Sequence, residues 1–148
     1  MDKILLVLDK KDSSNKHMLE DIIALMKTRG SEIFYAFFIE IPLHYPIDTE
    51  HEYFRNDFTL AEQVLKNFEK EMNLKKISKS KLTGGIFKVR DLNFGIIEKA
   101  LEYSVDLLIM PEKIMKSNSN ANKFNKDFVV NKIMNDLNSS IMFWKDTG

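Results

Sequence analysis

The sequence predicts an α/β domain built on an open, mostly parallel sheet. Five short apolar runs alternate with four longer segments whose apolar residues recur every three or four positions. The first run, Ile4–Leu8, is aliphatic throughout, as in a strand buried on both faces. Consecutive strands separated by helix-length segments must run parallel, with helices on both faces of the sheet.

The elements follow in order. After Ile4–Leu8 comes Asp9, and Asp12, Ser13 and Ser14 offer caps to a helix carrying Leu19, Ile22, Ile23 and Met26 on one face. Arg29-Gly30 supplies the residue types expected at its end. Ile33–Ile41 is a second strand, rich in aromatic and β-branched residues, and it stops at Pro42. Pro42–Asp57 shows no periodicity and reads as a long loop. From Phe58, the positions Ala61, Val64, Leu65, Phe68 and Met72 mark an amphipathic helix. A lysine-rich connector leads to a third strand, Leu82–Arg90, where Gly84-Gly85 suggests a bulge or a close backbone approach. Phe94, Ile97, Ala100, Leu101 and Val105 form the stripe of a third helix, followed by the strand Leu107–Met110. Asp127 is the expected cap of a fourth helix, with Val130, Ile133, Met134 and Leu137 on one face, and Ile141–Trp144 is the last strand.

Composition narrows the function. A chain of 148 residues reads as one domain over residues 1–148, able to bury about two-thirds of its unfolded surface. Its 22 basic and 22 acidic residues cancel, so no net field favours nucleic acid or an anionic membrane. The absence of cysteine excludes disulfides, thiolate metal sites and cysteine nucleophiles. The apolar run after Met1-Asp2-Lys3 is too short for a signal-peptide core, and no run approaches the ~20 residues of a membrane span. The expectation is a soluble, cytoplasmic domain.

Three stretches carry the pattern of a known family. They are Lys3-Ile4-Leu5-Leu6-Val7-Leu8-Asp9 with Ser13 nearby, the run Phe94–Met110 in which a helix containing Ala100 leads to Asp106 and a strand, and Val129–Ile133 followed by Ser139–Lys145. The chain resembles the universal stress protein family over nearly its whole length. That resemblance implies an adenine nucleotide alpha hydrolase-like fold with strand order 3-2-1-4-5. It also implies a ligand crevice at the carboxyl ends of the strands, formed here by Asp9, Lys10, Ser13, Met110 and Pro111. In the ATP-binding members an aspartate at the position of Asp9 contacts the adenosine portion of the ligand.

Those members also carry a glycine after the fourth strand, a second glycine three positions on, and a glycine followed by Ser or Thr ten positions after that. Here the four positions hold Pro111, Ile114, Phe124 and Asn125, and the loop Pro111–Lys123 contains no glycine. A phosphate cradle needs bare backbone to turn its amides inward. With Asp127 as the cap, the loop would also be about two residues long, and an acid would stand where an anion should bind. The resemblance therefore implies the non-ATP-binding type, with no cofactor.

Other constellations have plainer readings. The plainer reading of Asp9 is a strand-end acid that caps the nearby loop with the help of Ser13 or Ser14, ahead of a retained ligand contact. His17 has no partner at a motif spacing, and His44 and His51 share a loop with Asp48, Glu50 and Glu52 that fixes no ligand geometry. Tyr45, Tyr53, Phe54 and Phe58 either anchor the long loop or form a lid or interaction surface. Lys75, Lys76, Lys79 and Lys81 lack the aromatic interleaving of a nucleic-acid site. Lys113, Lys116, Lys123 and Lys126 would meet phosphate only as point charges. A phosphoacceptor receiver domain would fit Asp91 and Lys145, but Lys10-Lys11 stands where its acid pair belongs. No nucleophile motif is present, so the expectation is not an enzyme.

The resemblance places the apolar strand Ile141-Met142-Phe143-Trp144 at the sheet edge, and in the family this strand makes the dimer. Ile141–Lys145 is thus the expected homodimer interface, with an unknown protein partner as a further possibility and neither nucleic acid nor membrane involved. Two functions follow. The first is a stress-response or regulatory protein acting by association. The alternative is a sensor of a nucleotide or other small molecule in a rebuilt crevice near Asp9 and Met110.

Overall fold

The computed structural model describes residues 2–9, 12–50, 52–111, 125–137 and 139–144. In chain order the elements are β1 (Lys3–Val7), α1 (Asp12–Arg29), β2 (Glu32–Glu40), α2 (Arg55–Leu74), β3 (Leu82–Val89), α3 (Leu92–Glu102), β4 (Leu107–Pro111), α4 (Lys126–Asp136) and β5 (Ser140–Trp144). Short 3₁₀ turns, Glu52–Phe54 and Lys79–Lys81, precede α2 and β3. The five strands form one parallel sheet in the order 3-2-1-4-5, as the resemblance implied.

Alternation along the central strands makes two cores. Ile4 and Leu6 of β1, with Ile33, Tyr35, Phe37 and Ile39 of β2, face α1 and α2 and pack against Met18, Ile22, Val64 and Phe68. Leu5, Val7, Ala36, Phe38, Leu108 and Met110 face α3 and α4 and meet Ile96, Ala100, Val129 and Ile133. Both faces of β1 are covered, which is why its sequence is uniformly aliphatic.

The helix ends follow local chemistry. Gly30 takes φ +63° past the end of α1, and its N–H donates to the Met26 carbonyl at 2.9 Å. Asp91 caps α3, its carboxylate accepting from the Asn93 and Phe94 amides. Three expectations change here. The cap of α4 is Asn125, which accepts the Phe128 N–H at 3.1 Å, and Asp127 lies in the first turn. The two-residue excess in the preceding loop disappears with that shift. Phe94, Leu101 and Met134 are exposed rather than part of the buried stripes. Each successive helix residue rotates by about 100°, so a stripe centred on Ile96 and Ala100 turns Phe94 outward, where its ring meets Phe128 edge-on at 5.3 Å.

The third change concerns Pro42–Asp57, which is not wholly a loop. A 3₁₀ turn begins at Glu52 and α2 at Arg55, three residues before the helical pattern becomes legible at Phe58. No side chain caps this start. The fully buried Phe54 ring fixes it instead. Gly84-Gly85 forms no bulge, because β2 and β3 stay in register from Ile33↔Leu82 to Glu40↔Val89, and the close approach is at Gly84 alone, where the Tyr35 ring lies against the backbone.

Candidate functional site at the carboxyl ends of the strands

The topology sets β1 beside β4, with Leu6 opposite Ile109, so the chain segments that follow both strands emerge at one end of the sheet. Asp9 lies just past β1 and is 4% exposed, while Met110 and Pro111 close β4 and are buried. Asp9 is not without a partner at this position. Ser13 falls in the first turn of α1. Lys10 and the loop 112–124, which holds the positions of Ile114 and Phe124, lie outside the described residues.

Next to these residues is a polar seam that the sequence reading missed. Glu40, buried at the end of β2, accepts the Leu92 N–H at 2.8 Å and ties β2 to the start of α3. One residue on, Asn93 is also buried, and its Oδ1 accepts the Asn125 N–H at 2.7 Å. The Asn125 side chain in turn accepts from Phe128. Two amides at the amino end of α4 therefore bond to side chains of this chain. A helix amino end attracts anions through such donors, and the exposed Asp127 adds negative charge beside them. Asn93 sits at a cap-adjacent position where Asn is unremarkable, so the sequence held no signal of this link.

The segment Ile41–Glu50 is anchored at the same end. Arg90 Nη1 donates to the carbonyls of Ile41 at 3.3 Å, Pro42 at 2.7 Å and Tyr45 at 2.7 Å. Lys88 Nζ reaches the Thr49 carbonyl at 3.4 Å and lies 5.1 Å from the Phe58 ring centre. Tyr45 and Tyr53 both meet Phe54 edge-on, at 5.0 and 4.9 Å. The aromatics thus anchor the segment. Replacing Arg90 with Ala should lower stability by about 1–2 kcal/mol, discounted for the exposure of the side chain. Amide exchange across Ile41–Glu50 should accelerate in the same variant while the β1 and β4 amides stay protected.

No group of three His, Asp or Glu side chains among the described residues is placed to hold a metal ion. No described helix is long and apolar enough to cross a membrane. Of the expected interface, Met142 is exposed on the edge strand β5, and Ile141 and Phe143 are half-buried. Trp144 ends that strand, and Lys145 lies outside the described residues.

A parallel 3-2-1-4-5 sheet between two helical layers is the universal stress protein fold. A universal stress protein family structure from Burkholderia pseudomallei superposes with a TM-score of 0.63 at 12% identity, over 97% of this chain and 95% of that one. A universal stress protein from Archaeoglobus fulgidus gives 0.61 at 12% identity, over 97% and 93%. The Archaeoglobus fulgidus protein in complex with dAMP gives 0.56 at 12% identity, over 97% of both chains. At this identity the likeness is one of fold. No family model matches the sequence, and no curated protein matches it.

Proposed function

We propose that this protein is a universal stress protein-like regulator that acts by dimerisation and partner association, without nucleotide chemistry. The observation that carries the reading is the capped amino end of α4. The Asn125 and Phe128 amides are held by Asn93 and Asn125, on a helix that also carries Asp127 in its first turn. Lacking the glycines at 111, 114 and 124, the chain has no bare backbone at those positions to replace the missing donors. Burial of Met110 and Pro111 supports the same reading.

Association is assigned to β5. Among the described residues it pairs on one side only, with β4, and it presents Met142 to solvent, an edge on which a second copy can add its own strand. Sedimentation velocity at tens of micromolar should give a dimer, and Met142→Glu should give a folded monomer with an unchanged circular dichroism spectrum. A monomeric parent protein would overturn the assignment.

The second reading is a nucleotide sensor using Asp9 at the end of β1. It is favoured by the dAMP complex of the Archaeoglobus fulgidus protein and by the position of Asp9 just past the end of β1, the strand that pairs with β4.

A further inference from the structure

A second cleft lies toward the opposite end of the sheet, between α2 and the edge strand β3. It holds about 270 Å³ and is lined by Tyr35, Glu69, Asn73, Ile77, Lys79 and Leu82. Local geometry builds it. Glu69 and Asn73 are four residues apart on α2 and so share a face. Lys76 takes φ +60°, which turns the chain back beneath the helix end and sets Ile77 and Lys79 across from them. At Gly84 no side chain rises from β3, and the Tyr35 ring occupies that space as part of the floor.

The polar groups of the cleft are incompletely used. Tyr35 Oη donates to Glu69 Oε1 at 2.7 Å. Burial first, and then the neighbouring Glu69 carboxylate, hold the phenol proton in place by raising its pKa far above the ordinary value. Among the described residues, Glu69 has no cationic partner, Lys79 no anionic one, and the Asn73 carboxamide no hydrogen bond. Opposite charges thus line one cleft without bridging each other, above an apolar floor of Tyr35, Ile77 and Leu82.

We infer that this cleft binds a free amino acid with an apolar side chain. Its ammonium group is received by Glu69, its carboxylate by Lys79, and its side chain rests on Tyr35, Ile77 and Leu82. The volume suits a leucine- or phenylalanine-sized ligand, at the small end of ligand pockets. A simple anion would find one lysine beside a carboxylate, and a simple apolar molecule would engage neither charge. The zwitterion satisfies each. This site is independent of the strand-end crevice and of the dimer reading.

The test is amide-shift titration of the full chain with L-leucine and L-phenylalanine, with glycine, N-acetyl-leucine and leucinamide as controls. Saturable shifts confined to Tyr35, Glu69, Asn73, Ile77, Lys79 and Leu82 are expected with the first two at millimolar ligand. Glu69→Gln and Lys79→Met should each weaken binding about tenfold, since each removes one charge-assisted contact. Both side chains are exposed, and Glu69→Gln keeps an oxygen that can accept from Tyr35 Oη, so both variants should remain folded with at most a small fall in melting temperature. No saturable shift, shifts centred on Asp9, or equal binding by N-acetyl-leucine or leucinamide would each overturn the proposal.

Discussion

Phe54→Ala should destabilise the protein by about 3–5 kcal/mol, the range for deleting a fully buried aromatic ring. Phe54 stands at the amino end of α2, where no side chain caps the helix, and its ring is a hub for Tyr45 and Tyr53. Its removal leaves a cavity between α2 and the segment Ile41–Glu50 and also unsettles the start of the helix. A chemical-denaturation curve measures the loss. Were the residue merely part of a solvated loop, the midpoint would move by less than about 0.5 kcal/mol equivalent.

Gly84→Ala should cost about 1–3 kcal/mol, although alanine is ordinarily preferred to glycine inside a strand. A Cβ at this position would stand 2.2 Å from Tyr35 Cε2 and 2.5 Å from Tyr35 Cγ, so the whole ring would have to move. The ring is not free to do so, being held by Phe68 at 4.8 Å between centres and by the bond to Glu69. The effect should therefore depend on Tyr35. In a Tyr35→Leu background the same substitution should be nearly neutral, and a double-mutant cycle should return a coupling of about 1 kcal/mol or more. Simple additivity would show that the cost lies elsewhere.

The sequence made the fold legible because burial and periodicity agree along most of the chain. Ile4–Leu8 could be read as a two-sided strand, and Leu19, Ile22 and Met26 of the stripe read for α1 are buried. The boundaries that escaped had two different causes. α2 begins on a buried phenylalanine rather than on a Ser, Thr or Asp cap. At α4 two good cap residues stand two positions apart, and Asn125 rather than Asp127 takes the role by accepting the Phe128 N–H, its own amide held by Asn93 thirty-two residues earlier. The candidate crevice was legible in part. The neighbours β1 and β4, and the placing of Asp9, Met110 and Pro111, follow from topology. The Glu40–Leu92 and Asn93–Asn125 links span distances that no periodicity encodes. The cleft at Tyr35 was invisible for the same reason. Gly84-Gly85 was its one sequence trace, and it marked a close approach without naming the ring that makes it.

The capped amino end of α4 is the central observation, and thermal shift with AMP, ADP and ATP, with and without magnesium, tests its consequence most directly. A ligand present at a hundred times its Kd stabilises by about 2.7 kcal/mol, which for a domain of this size raises the midpoint by roughly 5–10 °C. No rise with any of the three at millimolar concentration is the predicted result. A rise of that size, abolished by Asp9→Ala, would contradict it and make the strand-end crevice a working nucleotide site.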